Sequence, residues 1–287
     1  MGTKITFGRT CGSDGFGADL PLRRDLSEPI VVDLSALRDI HAMFAIRLRI
    51  FIDWHVAAGH ALQVLPPADA VTAQRLADIG VADGLPADLV ELPSPRDGRT
   101  DDVLPLTRFV DHTTVEDIAR DAVALLRRQT DPLGSWGDAI YMAVGELCDN
   151  ALQHGRNDLG AYIAADRITE PQPAMRLAIA DLGIGIPEHI RSRHPEWYDD
   201  DFAISQAITS GVTGTGDPGR GYGFAEVFDQ ALRTDLVRAS SGADIDIRAG
   251  EGRIGMRIFG HTEVPERRNV KKPRRGTWIT YTVTTAA

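Results

Sequence analysis

Apolar positions along the chain change period several times, and each change marks an element. Residues 29–35, Pro-Ile-Val-Val-Asp-Leu-Ser, form a short β-branched run ending on a helix-capping residue, which predicts a strand. From 37 to 58 apolar residues recur at helical spacing until Gly59 stops them, so a long helix is predicted there. A second strand over 60–65 is closed by Pro66 and Pro67, and a second helix over 70–79 is stopped by Gly80. Strands alternating with helices imply a small α/β unit. Residues 1–27, with Gly12, Gly15 and Gly17 close together, read as a flexible or edge segment. Helical spacing resumes over 114–128 behind a threonine cap with Glu116 and Asp117 in the first turn. A further helix follows, and then alternating runs predict strands over 160–165, 175–180, 244–248, 253–259 and 277–283.

The stretch 93–102 carries prolines, a glycine and charges with no periodic apolar pattern, which is linker chemistry. The expected organisation is a flexible segment (1–27), a small α/β domain (28–92), a linker (93–107) and a larger α/β domain (108–287). A chain of 287 residues is long enough for two cores. The formal charge of −10 and pI near 5.3 argue against wholesale nucleic-acid binding. Cys11 and Cys148 are too few for a disulfide framework or a structural zinc site. No apolar run approaches the ~20 residues needed to span a bilayer, and no signal-peptide core follows Met1. A cytoplasmic protein without membrane contact is expected.

Candidate chemistry concentrates in the larger domain. In Glu146-Leu-Cys-Asp-Asn150-Ala-Leu-Gln-His154-Gly155, helical geometry puts Glu146, Asn150 and His154 within an ~80° sector. Ile140, Val144, Leu147 and Ala151 form the adjacent apolar stripe. A carboxylate at the edge of a buried face can act as a general base, and an amide oxygen four residues on can ligate Mg²⁺. A solvated polar face on an ordinary amphipathic helix has the same pattern. His154 and Gly155 fit a helix end.

Asp181 comes at the end of an apolar run, with Gly183 and Gly185 after it at two-residue intervals. A carboxylate there can accept a hydrogen bond from an exocyclic amine, and positions without side chains let a planar base approach. A tight turn would also use Asp-x-Gly. Gly219, Arg220, Gly221 and Gly223 precede a helical run over 224–232, and glycines leading into a helix start make an anion site. The alternative is a flexible glycine loop. Residues 210–219 have the composition of a lid. Gly276-Thr277 opens the last strand. Arg267, Arg268, Lys271, Lys272, Arg274 and Arg275 form a basic cluster, either a solvated loop or a docking surface. There is no P-loop motif and no dinucleotide fingerprint.

In this order, the three boxes resemble the nucleotide-binding motifs of the GHKL superfamily of gyrases, chaperones, histidine kinases and mismatch-repair ATPases. The wording is closest to the anti-sigma-factor serine kinases, whose first box also reads Glu-x-x-x-Asn-x-x-x-His-Gly. The resemblance covers roughly residues 108–285. It implies a Bergerat-type α/β sandwich that binds ATP and Mg²⁺. Glu146 would be the general base and Asn150 the magnesium ligand. Asp181 would take the adenine amine, with Gly183 and Gly185 beside it. The loop of Gly219, Arg220, Gly221 and Gly223 would lie on the phosphates, and Thr277 near the adenine. Residues 28–92 resemble a STAS domain, the fold of anti-sigma-factor antagonists. Ile40-His41-Ala42-Met43-Phe44 replaces that family's phospho-accepting serine motif, which implies a regulatory partner held in cis, with Met43 and Phe44 as contact anchors.

Three functions remain open on this reading. One is a serine/threonine protein kinase or anti-sigma-type regulator with a sigma factor or antagonist as partner. The others are an ATPase driving a conformational cycle, with a homodimer as one form of it, and a nucleotide-gated binding module.

Overall fold

The computed structural model describes residues 3–10, 20, 22, 28–129, 136–155, 158–169, 172–208, 225–227, 229–231, 233, 242–259, 262–267 and 274–284. For 154, 155, 259 and 262–267 only the backbone is described. The chain is mixed α/β and divides into two compact units, Met1–Thr107 with Ala164–Asp166, and Arg108–Ile163 with Arg167–Ala287. Among the described residues, no helix is long and apolar enough to cross a membrane.

The first unit holds a three-stranded parallel sheet in the order β1 (Thr3–Thr6), β2 (Ile30–Asp33), β3 (Leu62–Leu65). Thr3–Thr6, within the segment read as flexible or edge, is an edge strand, and Lys4 pairs with Asp33 at 2.8 Å. Helix α1 (Ala42–Ala57) connects β2 to β3, and α2 (Ala70–Ile79) follows β3. The helix expected from 37 begins five residues later. His41 takes the cap position, and its Nδ1 accepts from the Phe44 N–H at 3.2 Å. Apolar spacing alone does not register such a cap.

Helix α1 is buried nearly all round, and its sequence has no continuous polar face. Ala42, Met43 and Phe44 are wholly buried, with Phe44 edge-on to Phe7 at 5.4 Å. The residues expected to anchor a partner are therefore core residues in this conformation. The polar pair Arg49 and Asp53 satisfies itself at i,i+4. Arg49 also donates to the carbonyls of Val81 and Asp83, which fastens the end of α2 to α1.

The stretch expected as linker is tied down locally. Arg96 pairs with Asp78 and Arg99 with Asp83. A short 3₁₀ turn (Arg99–Asp101) precedes β4 (Val103–Phe109). Linker composition concealed this strand because Pro105 interrupts its pattern.

The larger sheet has seven strands in the order β4, β5 (Ala161–Ile168), β6 (Ala174–Asp181), β10 (Arg274–Thr284), β7 (Gly242–Gly250), β8 (Gly252–Phe259) and β9 (Thr262–Arg267). β10 runs antiparallel to both β6 and β7, and β7–β8–β9 continue antiparallel. The two edge strands carry the prolines Pro105 and Pro265, as expected where a ladder must stop. β9 was not foreseen: part of the basic cluster, Arg267, ends it.

Helices α3 (Val115–Gln129) and α4 (Gly137–Gly155) pack against each other in the second unit. Two short helices, α5 (Ile186–Arg191) and α6 (Asp200–Ala207), follow β6. Asp199 caps α6, Asp200 pairs with Arg191 and accepts from the Glu251 N–H, and Asp201 accepts from the Arg253 N–H. The acidic run 199–201 is thus consumed in fastening α6 to the β7–β8 turn.

Candidate functional site

Four elements converge on one small cavity. Helix α4 contributes Leu147, Asn150 and Ala151, β6 contributes Ile179 and Asp181, α5 contributes Ile186, and β10 contributes Thr277 and Ile279. The strand residues meet because β10 pairs with β6 in a register that sets Ile279 opposite Ile179. Alternation along each strand then turns Thr277 and Asp181 to the same face. On the helix, Leu147 and Ala151 belong to the apolar stripe, and Asn150 sits at its margin. The cavity measures about 20 Å³, room for a single water. A planar base enters only when its walls separate.

Asp181 is the last residue of β6 and is only 4% exposed. Its Oδ1 accepts from the Gly183 N–H at 2.7 Å, an Asx turn, so the tight-turn geometry open on sequence grounds is present. Burial lifts its carboxyl to about 7, against the opposing pull of hydrogen bonds from Gly183 and from the backbone and hydroxyl of Thr277. Near neutral pH this group therefore exists both as a carboxylate and as an acid.

Two glycines make the arrangement possible. Gly276 has φ +79°, and a Cβ there would overlap the Asp181 carbonyl. Gly185, also at φ +79°, starts α5, and a Cβ on it would lie 3.0 Å from the Gly276 carbonyl oxygen. The space expected at Gly185 for a ligand is thus filled by another stretch of backbone. The β7–β10 register shifts between Arg274 and Thr277, and this bulge brings Gly276 against the turn.

Asn150 is half-buried, but its side-chain nitrogen is fully buried and has no hydrogen-bond partner. An unsatisfied buried donor costs about 1–3 kcal/mol, and a ligand acceptor would relieve it. Glu146 is half-buried one turn earlier and does not line the cavity. Its carboxyl is raised above the usual glutamate range by burial, then by the charges of Glu226 and Asp149. A carboxyl raised in this way is suited to proton transfer. Among the described residues, no group of three His, Cys, Asp or Glu side chains is placed to hold a metal.

Sequence reasoning missed several participants. The apolar wall of Ile179, Ile186 and Ile279 is nonlocal, and only sheet register reveals it. Glu226 faces Glu146 from residues 225–227, which are helical. Asp149, beside Asn150, accepts a contact from His112 Nδ1 at 2.8 Å, and Asp111 holds the turn carrying His112 by accepting from Thr113. Gly219, Arg220, Gly221, Gly223 and the lid expected over 210–219 lie outside the described residues, as do Arg268, Lys271 and Lys272 of the basic cluster.

A scan against models of known protein families finds no match to this chain, and a search of curated proteins finds none either.

Proposed function

We propose that the second unit is a Bergerat-type nucleotide-binding domain of the GHKL kind, and that the cavity between α4, β6 and β10 is where it takes the adenine of ATP. The observation that carries this reading is the convergence of Asn150, Asp181 and Thr277 on one apolar-walled cavity. These are one residue from each of the first two boxes and the threonine of the last strand. Asp181 offers an acceptor for an exocyclic amine inside walls of Leu147, Ile179 and Ile279. The buried, unpartnered Nδ2 of Asn150 is a donor that an acceptor on the ligand would satisfy.

Asn150 also supplies the oxygen donor that Mg²⁺ prefers. Mg²⁺ is usually held by one or two protein oxygens together with phosphates and waters. ATP, when bound, supplies the transferable phosphoryl group. Glu146, with its raised carboxyl, accepts the proton of an attacking hydroxyl or water. Asp149 and Glu226 set how readily it does so.

Within this reading we favour a serine/threonine protein kinase or anti-sigma-type regulator acting on a protein partner, over an ATPase or a nucleotide-gated module. The observation behind the preference is the wording of the first box. The first unit is read as a STAS-like regulatory element without a phospho-acceptor at the start of α1, where Ala42, Met43 and Phe44 stand. Incubation of the full chain with γ-labelled ATP and Mg²⁺, with and without candidate antagonist proteins, separates these functions. Label on a partner serine supports the kinase, free phosphate the ATPase, and tight binding without either the module. No binding of ATP overturns the reading.

A further inference from the structure

Arg275 belongs to the basic cluster that the sequence left as a solvated loop or docking surface, but its guanidinium is committed elsewhere. Its Nε donates to the carbonyl oxygen of Leu182 at 2.9 Å. Leu182 is the buried residue immediately after Asp181. Arg275 is itself held from the other side, because the Trp278 indole Nε1 donates to the Arg275 carbonyl at 2.9 Å. The Arg274 guanidinium lies 5.8 Å from the centre of the Trp278 ring. The β-bulge between Arg274 and Thr277 lets the strand perform two tasks within three residues. Arg275 reaches back to the turn, and Thr277 faces the cavity and hydrogen-bonds Asp181. Between them Gly276 presses its backbone against the Asp181 carbonyl.

We propose that Arg275 is a positioning residue for Asp181, fixing the main chain of the 181–185 turn so that the carboxylate meets the base at hydrogen-bonding distance. This rests on the nucleotide reading of the cavity and specifies what sets affinity for the base. The side chain acts at the carbonyl of the next residue, so losing it frees the turn without removing any group that touches ligand. A hydrogen bond weakens steeply once distance and angle drift, so a loosened turn costs base recognition while phosphate recognition stays intact. The planar guanidinium gives Nε–H a fixed direction that a lysine ammonium lacks, so lysine restores the contact only in part.

The test compares the full-length parent with Arg275→Met, which keeps the alkyl stem and removes the donor, and with Arg275→Lys. Each is titrated calorimetrically with ATP and with inorganic tripolyphosphate, both with Mg²⁺. Arg275→Met should weaken ATP by about tenfold, the scale of one hydrogen bond to a charged group, and leave tripolyphosphate within about twofold. Arg275→Lys should recover part of the loss. Parent-like ATP binding by Arg275→Met, or equal losses for both ligands, overturns the proposal. So does failure of Arg275→Met to fold, which would make Arg275 a general stability residue. If the parent binds no ATP, the nucleotide reading fails, and the positioning claim is judged by the carbon-13 titration of the Asp181 carboxyl. A midpoint that moves towards the ordinary aspartate range in Arg275→Met upholds it, and an unchanged midpoint overturns it.

Discussion

Asp181 and Glu146 both hold their protons more tightly than ordinary carboxylates, yet their surroundings differ. Asp181 is almost sealed from water, bonded to Gly183 and Thr277, and walled by backbone that tolerates no added atom. Glu146 stands half-exposed between Asp149 and Glu226, and its helix neighbour Gly145 faces open space. Burial alone lifts the first, whereas burial and like charges together lift the second. The first arrangement suits recognition, where a fixed acceptor is compared with a fixed donor. The second suits chemistry, where a proton must leave and return through an accessible site.

Neutralising each carboxylate in turn separates the two roles. Glu146→Gln should lower turnover by about 10²–10⁴-fold while ATP affinity changes little, measured by single-turnover assay beside calorimetry. Equal turnover would remove both the kinase and the ATPase readings.

Next in size is a contrast between glycines. Gly276→Ala places a methyl into the Asp181 carbonyl at positive φ and should cost more than about 2 kcal/mol in urea unfolding. Gly145→Ala adds the same methyl on the open side of α4 and should stabilise by about 0.5–1 kcal/mol, since alanine is the better helix former. Similar effects at the two positions would erase the distinction between a sealed and an open side.

Asp181→Asn is expected to weaken ATP binding by about 1–3 kcal/mol. It should also remove a pH dependence of folding. The folded carboxyl titrates near 7, above the ordinary aspartate value, so folding binds a proton more tightly than the unfolded chain does. Its favourable share of stability is complete below the unfolded value and is lost as pH rises through about 7. Thermal melts of the parent should lose stability across this window relative to Asp181→Asn. Parallel curves would contradict the burial assigned to this group.

Local features of the site were legible in the sequence, because helical spacing alone brings Glu146 and Asn150 onto one sector and Asp-x-Gly marks a turn. What joins the helix to the turn was not, because it depends on β10 entering between β6 and β7 from a hundred residues downstream. Gly276 therefore looked like punctuation and Arg275 like one more surface charge. The mixed α/β architecture followed from alternating periods. The start of α1 and strand β4 escaped, since a histidine cap and an interrupting Pro105 both run against simple pattern.

If Asp181 takes the amine of an adenine, its protonation changes on binding, and proton release reports that change. Burial holds a proton on much of this carboxyl at pH 6 in the free protein, and ionising makes it the stronger acceptor for an amine. Calorimetric titration of the full chain with Mg·ATP at pH 6, in buffers of different ionisation enthalpy, counts the protons released. The parent should release close to one proton more than Asp181→Asn does, with the excess vanishing well above pH 7. Binding with the same proton count in both proteins, or no binding by the parent, would contradict that role for Asp181.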